Sequence, residues 1–392
     1  MEKPKLLYAS PFWPMKSGIS EYSENLLMGL ERFFDITLLT DQYTLQNKQL
    51  IKRFPVIRYQ RSKKYKGFDY IIYNIGNNPD FHSYMIEAMQ SNPGFVILHD
   101  YSLYYLAVDY YQEKGCLFQK LYELHGVEGI TLVKNSLKRS EQSDLLQHKN
   151  LASLLPLNKE FLVGAKGVFV HSEYTKSKLR EECNIEKVKI IPFCQPQLEM
   201  AEPKDKSILS KKFNNIRNND YVIGSAGFIA PSKQNELICK AVLLYNKTHK
   251  KKVHYVMIGD GNYVDTYLGE YIHKTGFTGM KDFFDALDCC DLIFNLRYPY
   301  GGETSATLLQ CMSKGLPCVI TNIGWFGELP QDCVIKIDKE AGVENIIDII
   351  KNCIDSDLTS FKKNAVRYIK ENCDPVRVAE KIFNIINDSK IL

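Results

Sequence analysis

Four loops of this sequence hold residue types that could bind an anion or move a proton. Residues 297–305, RYPYGGETS, fall between an apolar run that ends near Leu296 and a segment with Leu308, Leu309 and Met312 at helical spacing. Gly301 and Gly302 allow close backbone approach, Thr304 or Ser305 can open the helix, and the first N–H groups, from Thr304 to Ala306, are left without helical partners. Such a helix start suits a phosphate, although an ordinary capped helix after a turn would use the same residues. Residues 227–233, GFIAPSK, run from Gly227 to Lys233 and precede a segment with Leu237, Ile238 and Ala241 on one face. A lysine at a helix N-terminus opposes the dipole by a few tenths of a kcal/mol unless an anion shares the site; a solvated surface lysine is the alternative.

His99 and Asp100 follow directly on the apolar run 95–98. A neutral imidazole there can hydrogen-bond a hydroxyl or a phosphate, and Asp100 can orient it or cap the next helix; a structural histidine is the plainer reading. In the fourth loop, residues 11–20, the N–H groups after Gly18 can approach a phosphate, or Ser17 can simply cap the turn. Other patterns fail on spacing. Gly259-Asp260-Gly261 has Val264 where a dinucleotide fingerprint needs glycine, and no Walker lysine follows. Asp355 and Asp357 precede a late helix, away from any strand end, and read as a cap rather than a metal pair. The sequence has neither a G-x-S-x-G elbow nor an H-E-x-x-H pair.

These loops sit in a chain of 392 residues, 45% hydrophobic and 24% charged, which is enough for two or three domains and excludes wholesale disorder, a collagen-like repeat or a coiled-coil rod. Lys and Arg number 50 against 46 Asp and Glu, so the net +4 calls for no polyanion and a nucleic-acid partner is not expected. The 11 cysteines include no C-x-x-C pair, only the adjacent Cys289 and Cys290, so neither a zinc site nor a disulfide framework is indicated and a reducing cytosol suits them. No window offers about eighteen uncharged apolar residues, and the opening MEKPKLLYAS is too poor in them for a secretory leader. The expectation is a cytoplasmic protein.

The elements that must position the loops are strand-loop-helix units, the mark of parallel α/β folds. Apolar runs predict strands at 6–10, 36–40, 70–73, 95–98 and 168–170, then at 221–226, 255–258, 292–296 and 318–321. The stretch 103–155 reads as helical, and 376–386 as an amphipathic helix that can pack back on either domain. Between 192 and 219, prolines and a dense set of Lys, Asn and Asp break any period. The expected division is an N-terminal domain 1–195, a linker 196–219, a C-terminal domain 220–375 and a final helix 376–390. In open parallel sheets ligands lie beyond the carboxyl ends of the strands, which is where all four loops fall.

In order, GSAGFIAPSK, YVMIGDG, GFTG at 276–279 and DLIFNLRYPYGGETSATLLQCMSKGLPCVITNIGWFGELP resemble the retaining, nucleotide-sugar-dependent glycosyltransferases of family 4. The string at 297–305 is similar to the R-Y-P-x-x-G-E-T-S variant of that family; SPFWPMKSGISEYSENLL, LHD, VHSEYTKSKL and IIPFCQPQ fall in the expected order in the N-terminal half. The resemblance implies a GT-B fold, α/β with two Rossmann-like domains whose parallel sheets face across a cleft. It implies a nucleotide sugar, UDP- or GDP-linked, held mainly by the C-terminal domain, and a glycan or lipid-linked acceptor entering from the N-terminal one. By the same resemblance Lys233 and the backbone of Thr304, Ser305 and Ala306 would bind the leaving diphosphate, with Gly18 opposite. His99 would contact the donor sugar, Glu303 would meet it too, and the loop at Thr278 would lie near the base. No cofactor and no obligatory metal are implied, the product keeps the donor's anomeric configuration, and the work is that of cell-surface polysaccharide assembly.

Two departures from the family pattern stand out. Its usual pair of glutamates, with seven residues between them, aligns with Gly302 and Gln310, while Glu303 lies one place along; Gln310 can still hydrogen-bond ribose hydroxyls through a neutral amide. The arginine that often follows the loop glycine is replaced by Phe228 after Gly227, and Arg297 is a candidate for the missing charge. A sugar-nucleotide epimerase of the same architecture and a non-catalytic glycosyltransferase-like partner protein remain as alternatives. YQRSKKYKGF at 59–68 and the aromatic run 101–111 could meet the inner membrane face peripherally, or be solvated surface and helix core.

Overall fold

The computed structural model describes residues 2–139, 144–201 and 206–388. Parts of the expected helical stretch (140–143), linker (202–205) and final helix (389–390) therefore lie outside the described residues. The chain forms two compact units: Met1–Cys194 with Gly301–Thr304 and Pro375–Leu392, and Gln195–Tyr300 with Ser305–Asp374.

The first unit holds seven strands: β1 Lys5–Ala9, β2 Asp35–Thr40, β3 Val56–Arg58, β4 Tyr70–Ile75, β5 Phe95–Leu98, β6 Gly167–Val170 and β7 Val188–Ile190. They lie in the order β3-β2-β1-β4-β5-β6-β7, every pair parallel. The second holds six: β8 Tyr221–Ala226, β9 Val253–Ile258, β10 Ile272–Lys274, β11 Leu292–Asn295, β12 Cys318–Thr321 and β13 Ile335–Ile337. Their order is β10-β9-β8-β11-β12-β13, again wholly parallel. Both are Rossmann-like sheets, and in each the strand order reverses once, at β1/β4 and at β8/β11. Those switch points are where such folds open a crevice for a ligand.

All nine strands expected from apolar runs are present. Four were missed, β3, β7, β10 and β13, and these are the four sheet edges, each three residues long. Each carries one cation, Arg58, Lys189, Lys274 or Lys336. An edge strand has a neighbour on one side only, and a short, charged edge resists pairing with another chain, which is the opposite of the long apolar run that betrays a central strand. The stretch 103–155 is also more broken than expected: Tyr104–Glu113 ends before Gly115 (φ 67), and Leu117–Arg139 is interrupted at Gly126 (φ 61, ψ −154).

Helix Gly18–Leu30 buries Tyr22, Leu26, Leu27 and Leu30, and the final helix Pro375–Asp388 packs against it in the same unit. Phe383 there stacks on Phe33 (5.2 Å) and meets Phe34 edge-on (5.3 Å), while Tyr70 donates to Asn387 Oδ1 at 2.9 Å. In the second unit, residues 195–201 are laced to the end of helix Ala306–Ser313: Leu198 N–H donates to Ser313 Oγ (2.7 Å) and Ala201 N–H to Lys314 O (2.8 Å). All 11 cysteines are free thiols. Among the described residues no helix is long and apolar enough to cross a membrane.

Candidate functional site

In the second unit β8 ends at Ala226 and the chain turns at Gly227, whose φ of +93 is a backbone that side chains rarely adopt. Six residues on, Lys233 closes the short turn Pro231–Lys233, and Gln234 (φ 52) re-aims the chain into helix Asn235–Thr248. From the N-terminal side of that helix the ammonium reaches back to the strand end: Lys233 Nζ lies 3.5 Å from Ala226 O. A Cβ placed on Gly227 would be 2.9 Å from that nitrogen and 3.6 Å from Thr307 Cγ2. A cation, a side-chain-free turn and the first turn of helix Ala306–Ser313 thus meet at the β8/β11 switch point.

That helix begins as the sequence indicated. Ser305 caps it, its Oγ accepting from Leu308 N–H at 3.3 Å and lying 3.2 Å from Thr307 Oγ1. Ala306 and Thr304 are half-buried. Asn295, the last residue of β11, donates to Thr307 Oγ1 at 3.3 Å, and its own Oδ1, fully buried, has no hydrogen-bond partner among the described residues. The loop leading in is pinned to the lysine's turn by Tyr298 N–H on Ser232 O (2.8 Å).

Two candidates are placed less favourably for a ligand. Arg297 is 7% exposed; its Nη1 donates to Leu296 O at 2.8 Å and its guanidinium lies over the Phe326 ring at 5.6 Å. It stabilises its own loop rather than presenting an open charge. Gln310 is 3% exposed, so little of its amide can be reached. Thr278 is half-buried in the loop before helix Met280–Asp288, a loop tied to β9 by Thr275 N–H on Met257 O (2.9 Å) and by Gly259 N–H on Thr275 Oγ1 (3.1 Å).

In the first unit, helix Gly18–Leu30 is capped by Ser17, whose Oγ accepts from Ile19 N–H at 3.2 Å, and a Cβ on Gly18 would meet nothing within 4 Å. His99, just past β5, is buried against Asn74 of β4. Asn74 Nδ2 donates to Ala9 O (3.1 Å), which turns its amide oxygen to His99, so His99 Nε2 donates to Asn74 Oδ1 across 3.2 Å. Burial first, then the neighbouring imidazoles of His171 and His82, hold His99 well below the usual histidine range. The ring is neutral, and Nδ1 is its remaining acceptor, suited to a hydroxyl donor. Tyr22, His171 and Phe193 surround it, with ring centroids 4.6, 5.3 and 6.4 Å from that of His99.

Asp100 accepts from Asn77 N–H at 2.9 Å, and burial, with the charge of Glu303 adding to it, pushes its carboxyl up to about 6. Glu303 itself accepts from Gly301 N–H through Oε2 (2.9 Å). Gly302, beside it, has φ +86, and a Cβ there would lie 2.3 Å from Tyr101 Cβ. A glutamate at 302 would be strained and would clash with Tyr101, and the carboxylate present beside it is that of Glu303. Ser102 N–H on Gly301 O and Thr175 Oγ1 on Gly302 O, both 3.4 Å, hold the loop there.

The sign of the Asp100 effect follows from its raised pKa. Ionising the carboxyl costs more in the folded than in the unfolded chain, so the charge removes stability as pH rises from the model-peptide value of 3.8 through about 6. Asp100→Asn keeps an acceptor for Asn77 N–H and is expected to raise stability at pH 7–8 by about 1–3 kcal/mol, with the gain vanishing below about pH 4. Urea unfolding of both proteins across that range checks it.

Asn74, Asn295, Thr307 and His171 were not singled out from sequence. The two asparagines did leave a signal: each is a polar letter at or next to the end of an apolar strand, YIIYNI and LIFN, and each lies on the strand across its sheet's switch point. Among the described residues no group of three or more His, Cys, Asp or Glu is placed to hold a metal ion.

Comparison with known proteins agrees with this architecture. The family model for glycosyl transferases group 1 matches residues 220–352, the segment that contains Gly227, Lys233, Arg297 and the helix after Ser305. No curated protein matches the chain significantly. Among solved structures, Anabaena HepE in complex with UDP is similar at a TM-score of 0.64 and 15% identity over 98% of this chain and 100% of that one. WaaG, a glycosyltransferase involved in lipopolysaccharide biosynthesis, is similar at 0.60 and 14% identity over 97% and 99%. Sucrose-phosphate synthase from Thermosynechococcus elongatus is similar at 0.66 and 12% identity, covering 99% of both chains. At these identities the likeness establishes the fold, α/β with two Rossmann-like domains of the GT-B kind, and the two parallel sheets of seven and six strands are its direct expression.

Proposed function

We propose that this chain is a retaining glycosyltransferase that moves a sugar from a nucleotide sugar, UDP- or GDP-linked, to a glycan or lipid-linked acceptor during assembly of a cell-surface polysaccharide. The observation that carries the reading is the meeting of Lys233 Nζ, the open turn at Gly227 and the first turn of helix Ala306–Ser313 at one switch point. Support also comes from the group 1 family match over this segment and from the UDP and UDP-glucose complexes of the similar Anabaena protein.

In such a transfer the acceptor hydroxyl oxygen bonds to the anomeric carbon as the bond from that carbon to the diphosphate oxygen breaks. The hydroxyl proton passes to the departing diphosphate, on whose face the acceptor attacks, so configuration is kept and no protein nucleophile is used. Positive charge grows on the sugar and negative charge on the leaving group. Lys233 and the N–H groups at the helix start would stabilise the second charge as preformed donors. No metal is required in this scheme. His99, neutral with Nδ1 as acceptor, holds a donor-sugar hydroxyl, and Glu303 another. By the family resemblance Gly18 would face the diphosphate, Thr278 the base and Gln310, buried as it is, the ribose.

Incubating the protein with UDP- and GDP-sugars, with and without glycan acceptors, tests this reading. Nucleoside diphosphate release that depends on acceptor is expected. Conversion of the donor to another nucleotide sugar without acceptor would instead identify an epimerase, and nucleotide binding without turnover a non-catalytic partner.

A further inference from the structure

The chain has two tryptophans, and they differ sharply: Trp325 is 5% exposed, Trp13 is 46% exposed. Trp13 stands on the loop between β1 and helix Gly18–Leu30, beyond the carboxyl end of a switch-point strand and five residues before Gly18. A lone exposed apolar side chain is ordinarily unremarkable in meaning. The backbone under this one, however, is fixed from three directions. Phe12 N–H donates to Tyr43 OH at 2.9 Å, Gln46 N–H donates to Trp13 O at 3.0 Å, and Trp13 N–H donates to the Glu24 carboxylate. Glu24 is in turn held by Asn47 Nδ2 at 2.9 Å, and burial raises its pKa. Rigid backbone and an indole left in water is the arrangement of a preformed platform. Beside it Gln46 is exposed, and its side-chain amide makes no hydrogen bond within the described residues.

We infer that Trp13 is the stacking platform for a pyranose ring of the acceptor, with the Gln46 amide reading a hydroxyl at the ring's edge. The C–H face of a pyranose is weakly positive and apolar, and it meets the negative face of an indole, while its equatorial hydroxyls point sideways to amides. A membrane surface would need a contiguous apolar patch, whereas the exposed residues of the adjoining loop, Gln42, Thr44 and Gln46, are polar. This inference rests on the proposed transfer reaction for the word acceptor, and it names that acceptor's class: a saccharide whose terminal ring is free to stack.

Because Trp325 is buried, emission changes on adding a saccharide report on Trp13. The whole chain is titrated, without nucleotide, with methyl glycosides and disaccharides of glucose, galactose, mannose and N-acetylglucosamine, and separately with UDP. At least one saccharide is expected to blue-shift the emission. Calorimetric titration with the same saccharide, which needs no indole reporter, should show binding lost in Trp13→Ala and partly kept in Trp13→Tyr, and Gln46→Ala should weaken binding about tenfold. In turnover, Trp13→Ala should raise acceptor KM about tenfold or more while leaving slow hydrolysis of the nucleotide sugar unchanged. No shift with any saccharide, a shift with UDP alone, or an unchanged acceptor KM overturns the inference. Saccharide binding at Trp13 without any turnover of nucleotide sugars would instead sink the proposed reaction and leave the platform standing.

Discussion

Lys233→Ala is expected to lower turnover by about 100- to 1000-fold while the protein stays folded. The lysine is half-buried, and its hydrogen bond to Ala226 O is long at 3.5 Å, so that bond adds little to stability. In the proposed transfer the lysine's weight would fall on the transition state, in which the departing diphosphate carries more negative charge than in the bound donor. An interaction that strengthens along the reaction lowers kcat and kcat/KM together, and that pattern is expected here. Lys233→Arg should recover only part of the loss, because the planar fork of a guanidinium does not reproduce a compact ammonium aimed at a glycine turn. Steady-state kinetics with matched melting curves decide the point, and wild-type turnover in Lys233→Ala would remove the lysine from the mechanism.

Gly302→Ala is expected to be almost as damaging, by another route. With φ at +86, any side chain is strained, and the new Cβ would lie 2.3 Å from Tyr101 Cβ, an atom fixed to the backbone that cannot swing aside. The loop Gly301–Thr304 must then leave its place and lose the bonds from Ser102 N–H and Thr175 Oγ1. We expect a loss of about 2–4 kcal/mol in stability, or displacement of Glu303 with at least a tenfold fall in kcat. Chemical unfolding and kinetics on one preparation read both, and a variant like wild type in each would show that the loop accepts a side chain. The same geometry is the physical reason that position 302 takes glycine, which composition and spacing could not show.

What the sequence conveyed follows the physics of burial. Strands covered on both faces must be apolar letter after letter, and β5, β9 and β12 are buried throughout, so they were legible as runs. Three-residue edges with a cation are not. Ser305 could be named as a cap because its side chain acts on backbone three residues away, a local matter. Arg297 shows the opposite limit. Its type and position suggested a phosphate contact, yet its direction is set by Leu296 O and the Phe326 ring, 29 residues on, which only the folded unit reveals. The acceptor role of His99 Nδ1 likewise depends on the amide of Asn74, oriented in turn by Ala9 O on the neighbouring strand.

The central claim is that the turn at Gly227, Lys233 and the start of helix Ala306–Ser313 form a diphosphate site. Its most direct test is calorimetric binding of UDP, GDP, ADP and dTDP to the whole chain and to Lys233→Ala. The account predicts that at least one of these nucleoside diphosphates binds, that the corresponding nucleoside binds far more weakly, and that Lys233→Ala weakens the diphosphate about tenfold or more. Binding of none of them, or equal affinity in the variant, would contradict it.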